Sequence, residues 1–346
     1  MANNNFDHQL NGFLIIDKPI DWTSHDVVAK LRGILRTKKV GHAGTLDPFA
    51  TGVLPIAVGS ATRLIRFLAK TKRYLAEIDL RNTTDTDDLT GEFLNKAEIK
   101  LSKEDLLEKL KSMEGEIDQI PPLYSAKKID GKKLYQLMRE GYEIDLADLK
   151  PCRVRINSID LLDFDYPFAK IEMSCGEGTY VRSVARDVGG HLTSLRRLES
   201  NNFTLQSAYS LDDLQAEGVD LHNTILSPVD YLDLPEYLFD NKDVIALQQG
   251  QKVTIKEQDL SRFIAEDPFL STNGTNASHR SDLFSSDITS KTGFCRMSSQ
   301  FSNKLIDLEQ GEQYLKCLDS TKELIGLANI AKENGKDFAV QPKVIL

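Results

Sequence analysis

The segment "KVGHAGTLDPFATGVLP", Lys39 to Pro55, isolates one acid: between His42 and Thr62 the only charged side chain is Asp47. A residue preceding proline is pushed out of the helical region, so Asp47 is expected in an extended or turn conformation. Gly41, Gly44 and Gly52 permit tight loop geometry and close approach of a ligand to the backbone. Leu46, Phe49, Val53 and Leu54 make the surroundings apolar. A carboxylate in such a place has its pKa raised unless a cation pairs with it. Held ionised beside an electron-poor carbon, it can attack as a nucleophile or stabilise an oxocarbenium-like centre. The same residues also suit a plain glycine-rich turn in which Asp47 caps a helix or closes an Asx-turn. The chain contains neither GxxxxGK[ST] nor GxGxxG, which argues against a nucleotide-binding loop.

The elements that must position Asp47 can be read from apolar periodicity. "GFLIID" (12–17) is a buried strand halted by Pro19. "TSHDVVAKLRGILR" is an amphipathic helix with Thr23 or Ser24 as N-cap. "TGVLPIAVGSATRLIRFL" predicts a second apolar strand followed by a short basic helix, and "RYLAEIDLR" (73–81) a half-buried strand. "TTDTDDLTG" reads as an acidic turn. "LSKEDLLEKLKSM" is a helix capped by Ser102, with Leu101 placed to staple against Leu106. A further helix within "PPLYSAKKIDGKKLYQLMREG" turns Leu134, Leu137 and Met138 inward and ends at Gly141. Strands at 152–162 and 167–175 precede a glycine turn and a helix in "GEGTYVRSVARDVGGHL", after which "NFTLQSAYSL" alternates again. Strands and helices without a regular βαβ rhythm predict an α/β (α+β) mixed sheet through about residue 230. After "DLPEYLF" a second unit begins, holding the helix "NKDVIALQQG" and a strand-rich end. Residues 271–303, dominated by Ser, Thr, Asn and Gly, read as a disordered insertion in it.

The chain has 346 residues, is 40% hydrophobic and 27% charged, and carries a net charge of -9, so it reads as a globular protein of one or two domains. No apolar run reaches the ~18 residues of a spanning helix, and "MANNNFDHQL" lacks the parts of a signal peptide, which predicts a cytoplasmic protein. Cys152, Cys175, Cys295 and Cys317 are widely spaced and read as four buried reduced thiols, not as a disulfide frame or a zinc site. The six histidines do not cluster, so no metal is expected. The acidic average hides a basic N-terminal part, residues 1–76, with 11 Lys+Arg against 5 Asp+Glu. Phosphate binding follows local potential, which keeps an RNA partner open.

Several segments together resemble one family. "GHAGTLDPFATGVLP" is similar to the signature of the TruB family of tRNA pseudouridine synthases, which carries a catalytic aspartate. "GFLIIDKPIDWTSHDVV", "KRYLAEIDL", "PPLYSAKKIDGKKLYQLMREG", "CGEGTYVRSVARDVG" and "LRRLESNNF" resemble further family segments in the same order, over about residues 12–232. Asp21, where the family usually has glycine, and the Ser-rich insertion depart from the pattern.

The resemblance implies a pseudouridine synthase fold in residues 1–232 and a small β-rich PUA-like RNA-binding domain in 233–346. It implies isomerisation of uridine 55 in the T-arm loop of tRNA to pseudouridine, with no cofactor and no obligate protein partner, by a monomer. Asp47 would be the essential carboxylate, and attack on the ribose, its deprotonation, and addition to the base all stay open. Arg182 would pair with Asp47 and Tyr74 would stack on the target base or move its proton. His42, Tyr180 and Leu198 would line the nucleotide pocket. Lys18, Lys127, Lys128 and the pair at 132–133 are candidates for phosphate contacts. Three alternatives carry different expectations: a tRNA-binding or folding module, a guide-RNA-dependent synthase, and a carbohydrate-active enzyme. The last needs a second acid near Asp47, for which Asp26 and Glu77 are nearest in the chain.

Overall fold

The computed structural model describes residues 10–96, 100–129, 131–256, 259, 263–264, 313–333 and 337–346. The chain divides into two compact units, Met1–Leu232 and Asp233–Leu346. The Ser-rich segment 271–303 and Cys295 lie outside the described residues.

The first unit is built on a mixed sheet. Its first strand, β1 (Gly12–Lys18), is apolar over Phe13–Ile16 and buried except at half-buried Asp17, and Pro19 ends it. Helix α1 (Ser24–Ile34) starts at Thr23, whose side chain accepts from the Asp26 N–H while its own N–H donates to Asp26. This reciprocal capping box selects Thr23 over Ser24 as the cap. Val27, Val28 and Leu31 bury the helix's apolar face.

The short β2 (Val40–His42) and the apolar β3 (Thr51–Val58) flank the Asp47 loop. After β3 the expected basic helix is absent: the chain instead makes two 3-10 turns, Gly59–Arg63 and Ile65–Phe67. Gly59 sits at φ +64 against the Asn11 side chain, and a Cβ there would lie 2.1 Å from it. That close approach pins the start of the segment against Asn11.

Next come β4 (Thr71–Asp79), a hairpin of β5 (Asn82–Thr84) and β6 (Phe93–Lys96), α2 (Lys103–Ser112, capped by Ser102) and β7 (Gly115–Gln119). A small hairpin, β8 (Lys128–Ile129) and β9 (Lys132–Lys133), leads into α3 (Leu134–Arg139). Only Leu134 of α3 is fully buried; Leu137 and Met138 are half-buried. The unit closes with β10 (Cys152–Asp165), β11 (Phe168–Gly176), α4 (Val181–Asp187), β12 (His191–Ser200), β13 (Phe203–Thr204) and β14 (Ala208–Tyr209). "NFTLQSAYSL" therefore forms two short strands split by a turn at 205–207, not one alternating strand.

Strand order is β14-β1-β3-β12-β4-β11-β10-β7, with β2 added to β3 and β13 to β12. Pairs β1–β14 and β3–β12 are parallel and the others antiparallel. Strands β3, β12 and β4 are thus neighbours, although β12 lies more than 100 residues further along the chain. Leu14, Ile16, Leu54, Ile78, Ile171 and Val184 belong to the continuous core of this unit.

Among the described residues, the second unit is a curled sheet of six strands with one α-helix. Its strands are β15 (Glu236–Leu238), β16 (Val253–Ile255), β17 (Phe263–Ile264), β18 (Gln313–Leu318), β19 (Leu324–Glu333) and β20 (Asp337–Ile345). Helix α5 (Asn241–Gln248) is capped by Asp240, and the core gathers Tyr237, Phe239, Leu247, Leu315, Ile330 and Val340. Cys175 and Cys317 are buried, but Cys152 is half-buried at the start of β10, so the expectation of uniformly buried thiols fails there.

Candidate active site

Asp47 sits in the loop between β2 and β3, at the head of a turn in which the Ala50 N–H donates to the Asp47 carbonyl at 3.1 Å. The loop is anchored at three points. Ser24, the first residue of α1, accepts from the Leu46 N–H at 2.9 Å. Arg197 of β12 is wholly buried and donates to the carbonyls of Gly44, Thr45 and Val53 at 3.1, 3.3 and 2.7 Å. Lys18, at the end of β1, donates to the carbonyls of Pro19, Trp22 and Pro48 at 2.8, 2.6 and 3.0 Å. Gly52 lets β12 come close enough for this: a Cβ there would lie 2.2 Å from the Arg197 carbonyl oxygen.

Lys18 is therefore not a phosphate contact. Strand alternation carries Lys18 to the same face as Leu14 and Ile16, and its side chain is fully buried beneath the loop. Burial brings its pKa down to about 8, with Asp47 and Asp21 opposing, so it stays mainly charged at neutral pH.

Arg182, second residue of α4, reaches the loop from the other side and is only 4% exposed. Its Nη2 donates to Asp47 Oδ1 at 3.1 Å, and its Nε lies 3.0 Å from Oδ2. The guanidinium thus meets the carboxylate at two points, a hydrogen bond from Nη2 and a close ion-pair contact of Nε, whose N–H has no aligned acceptor among the described residues. The guanidinium is itself oriented by donating to the carbonyls of Thr86 and Tyr124, at 3.0 and 3.1 Å. The start of α4 is placed by Gln119 at the end of β7, whose amide exchanges two hydrogen bonds with the Tyr180 backbone. Burial raises the Asp47 carboxyl above the usual carboxylate range; Arg182 opposes this, and Asp88 adds to it. The Asp47 side chain still keeps 34% of its surface, so it is open to solvent and not sealed in.

The acidic stretch 85–88 is only partly a solvated turn, because Asp87 and Asp88 are both buried. Asp88 Oδ2 lies 3.6 Å from Arg182 Nη1, and its Oδ1 accepts from the hydroxyls of Thr86 and Thr90. Asp87 pairs with Arg186 at 3.0 Å. The acid that shares a cation with Asp47 is thus Asp88, not Asp26 or Glu77. The Asp26 carboxylate accepts from Thr23, the cap of α1, and Glu77 accepts from the Thr193 hydroxyl. With Arg182 between them, Asp88 serves to steady the guanidinium, which removes the support for a glycosidase-type carboxylate pair.

Tyr74 of β4 is buried and lies opposite Arg197 in the β4–β12 ladder. Burial pushes its phenol up; Arg197 acts against this, and Asp47 adds to it. His42 ends β2 with its ring edge-on to His25, 5.4 Å between centroids, and its buried Nδ1 has no hydrogen-bond partner. Burial, with the charges of His25 and Arg197, lowers its pKa, so the imidazole is neutral at pH 7. Tyr180 caps α4 half-buried, its phenol pushed up mainly by burial. Leu198 is half-buried at a bulge between Arg197 and Glu199, a device that re-aims a strand side chain. Lys127 and Lys128 stand exposed at the β8–β9 hairpin with Lys132, while Lys133 is half-buried there. The structure thus joins Asp47 to Arg182 directly and puts Tyr74 and Tyr180 within their electrostatic reach. Lys18 lies behind the loop, and the lysine hairpin forms a separate cationic patch.

With this geometry in view, the family whose description is TruB family pseudouridylate synthase, N-terminal domain, matches residues 32–181, from α1 to the residue before Arg182. The chain is 43% identical over 261 residues to tRNA pseudouridine synthase B of Microcystis aeruginosa, covering 72% of this chain and 86% of that relative. The chain belongs to the TruB family. A second TruB relative, tRNA pseudouridine synthase B of Clostridium kluyveri, is 38% identical over 267 residues, covering 74% of this chain and 90% of the relative. The TruB fold also aligns with a solved Cbf5-Nop10-Gar1 complex at TM-score 0.64 and 22% identity, covering 97% of this chain and 85% of that one. The mixed-sheet pseudouridine synthase fold with a curled C-terminal sheet is therefore as expected from the sequence. Arg197, Asp88 and the burial of Lys18 were not legible there, although alternation along "LRRLES" does set Arg197 on the face of buried Leu195.

Proposed function

We propose that the chain isomerises uridine 55 in the T-arm loop of tRNA to pseudouridine, with Asp47 as the essential carboxylate. The reaction breaks the N1–C1′ bond, forms C5–C1′, and moves one proton from C5 to N1. No atom is lost and no oxidation state changes. The observation that carries the assignment is Asp47 met at two points by Arg182, in an otherwise uncharged loop where its carboxylate stays partly open to solvent.

Each neighbour has a part. Arg182 keeps Asp47 ionised against the pull of burial. Tyr74 offers a ring for the everted base and a phenol, kept protonated by burial with Arg197 opposing, as the group that relays the C5 proton. Eversion costs a few kcal/mol, and stacking on one aromatic returns roughly 1–3 kcal/mol. Neutral His42, Tyr180 and Leu198 line the nucleotide pocket. The exposed lysines at 127, 128 and 132 meet RNA phosphates. Residues 233–346 act as a PUA-like RNA-binding domain, and the protein works as a cytoplasmic monomer without a guide RNA.

The test is a T-arm stem-loop with its loop uridine, incubated with the purified chain alone. Stoichiometric pseudouridine at that position is the expected result. Product only after addition of a guide RNA, or none at all, overturns the proposal.

A further inference from the structure

Beside the catalytic loop, on the flank of Gly44, lies a cavity of about 210 Å³ with no role in the site described above. Ile65 and Leu68 form its apolar wall, and its charged groups are Arg66, Lys70, Lys72 and Glu177. Glu177, the only acid there, pairs with Lys70 at 3.2 Å, and both of those side chains are well exposed. That leaves Arg66 and Lys72. Among the described residues neither has a carboxylate within ion-pair distance, and Lys72 has no hydrogen-bond acceptor either.

Lys72 is unusual for an unpaired lysine. It is half-buried in β4, with its Cε 3.7 Å from where a Cβ on Gly44 would stand. Burial first, and then the nearby Arg197 guanidinium, pull its pKa below the ordinary lysine value. Holding an ammonium there has a cost that Glu177, which lies beyond ion-pair distance, offsets only in part. Its place in the strand shows what would offset the rest. Lys72 and Tyr74 are two residues apart and so share one face of β4, about 7 Å from one another along the strand. Gly44 is three residues before Asp47. The cavity thus adjoins both the loop that carries Asp47 and the strand that carries Tyr74, so a nucleic-acid strand held at Asp47 would pass near it.

We propose that Lys72, with Arg66, binds one backbone phosphate of the RNA strand adjoining the everted nucleotide. The inference rests on the proposed RNA substrate and adds a positioning contact to it. A phosphodiester supplies the missing countercharge, and the apolar wall of Ile65 and Leu68 can take the adjoining sugar. The contact holds the strand beside the loop that carries Asp47, which fixes where the ribose falls relative to the carboxylate.

The experiment scans the T-arm stem-loop with single neutral methylphosphonates and measures binding to the wild-type chain and to Lys72→Met and Lys72→Arg. In wild type, one loop position should lose about tenfold in affinity, the low end for a charge-assisted contact. Lys72→Met should already be weaker by a similar factor on unmodified RNA and show no further loss at that one position. Its log–log salt slope should fall by about one. Lys72→Arg should keep the wild-type sensitivity, which covers the case of a misfolded methionine variant. Equal sensitivity of wild type and Lys72→Met at every position, or no effect of either lysine substitution on binding, overturns the inference. Wild-type turnover of the unmodified stem-loop is measured in the same samples. Its absence would refute the proposed function, whereas turnover without a Lys72-linked phosphate position refutes only this contact.

Discussion

Lys18→Met separates the two roles that a lysine beside a catalytic loop can have. Its ammonium donates to three backbone carbonyls and is fully buried. The Pro48 carbonyl also accepts from the Asp21 N–H at 2.9 Å and so keeps one partner in the variant. The Pro19 and Trp22 carbonyls lose theirs. A buried polar group left without a partner costs about 1–3 kcal/mol, giving roughly 2–6 kcal/mol for the two. Methionine fills much of the same volume and removes a buried charge, which recovers some of that, so a net loss of about 2–4 kcal/mol is expected. For a unit of this size that lowers the melting temperature by roughly 5–15 °C. Scanning calorimetry reads this loss, and tRNA affinity measured over a range of salt reads the alternative. The variant should melt lower and keep the wild-type salt slope at temperatures where it is folded. An unchanged melting temperature with a slope reduced by about one would mean that Lys18 meets a phosphate after all, and the loop-anchor account would be wrong.

Other substitutions probe the remaining parts. Arg182→Lys loses the two-point pairing, so turnover should fall about 10²–10³-fold. Asp47 must be ionised to act, and its pKa is already raised; a weaker cation raises it more. The acid limb of the pH–rate profile should therefore move to higher pH in Arg182→Lys, and a shift to lower pH would contradict the pairing. Tyr74→Phe keeps the ring and removes the hydroxyl: binding should hold while turnover drops ~10²-fold or more if the phenol relays the proton. Turnover within a few-fold of wild type would assign Tyr74 to stacking alone. Asp21 holds φ +64, the left-handed conformation that suits the glycine usual in the family. Asp21→Gly relieves about 1–2 kcal/mol of strain and costs about 0.5–1 in chain entropy, a net gain of roughly 0.5 kcal/mol by denaturant titration. A loss of stability would show that the Asp21 side chain makes a contact that matters.

What could be read in advance follows from how local each feature is. The strand 12–17, the capped helices at Thr23 and Ser102, and the Asp47 turn are set by neighbours within four residues, and all stand where the sequence puts them. The pairing of Asp47 with Arg182 spans 135 residues and came from the family resemblance, not from spacing. Lys18, Arg197 and Asp88 escaped for one shared reason. A charged residue at a strand end or in an acidic run reads as solvated unless the tertiary fold brings carbonyls or a counterion to it. Those partners, Pro48 for Lys18, Gly44 for Arg197 and Arg182 for Asp88, are 30 to 153 residues away. The basic helix expected after β3 gives way to 3-10 turns in a segment whose start is pinned by a tertiary contact, the close fit of Gly59 against Asn11.

The most direct test of the central claim is Asp47→Asn, assayed for pseudouridine formation and T-arm binding in the same preparation. The raised pKa means that the folded state favours the protonated acid. The cost of holding the charge is absent below the unfolded pKa, grows as pH rises from there to the folded pKa, and is complete above it. At neutral pH a neutral isostere should thus leave stability equal or higher, so a dead variant cannot be put down to unfolding. The account predicts near-total loss of product, binding within a few-fold of wild type, and an undiminished melting temperature. Turnover that survives the substitution would contradict it.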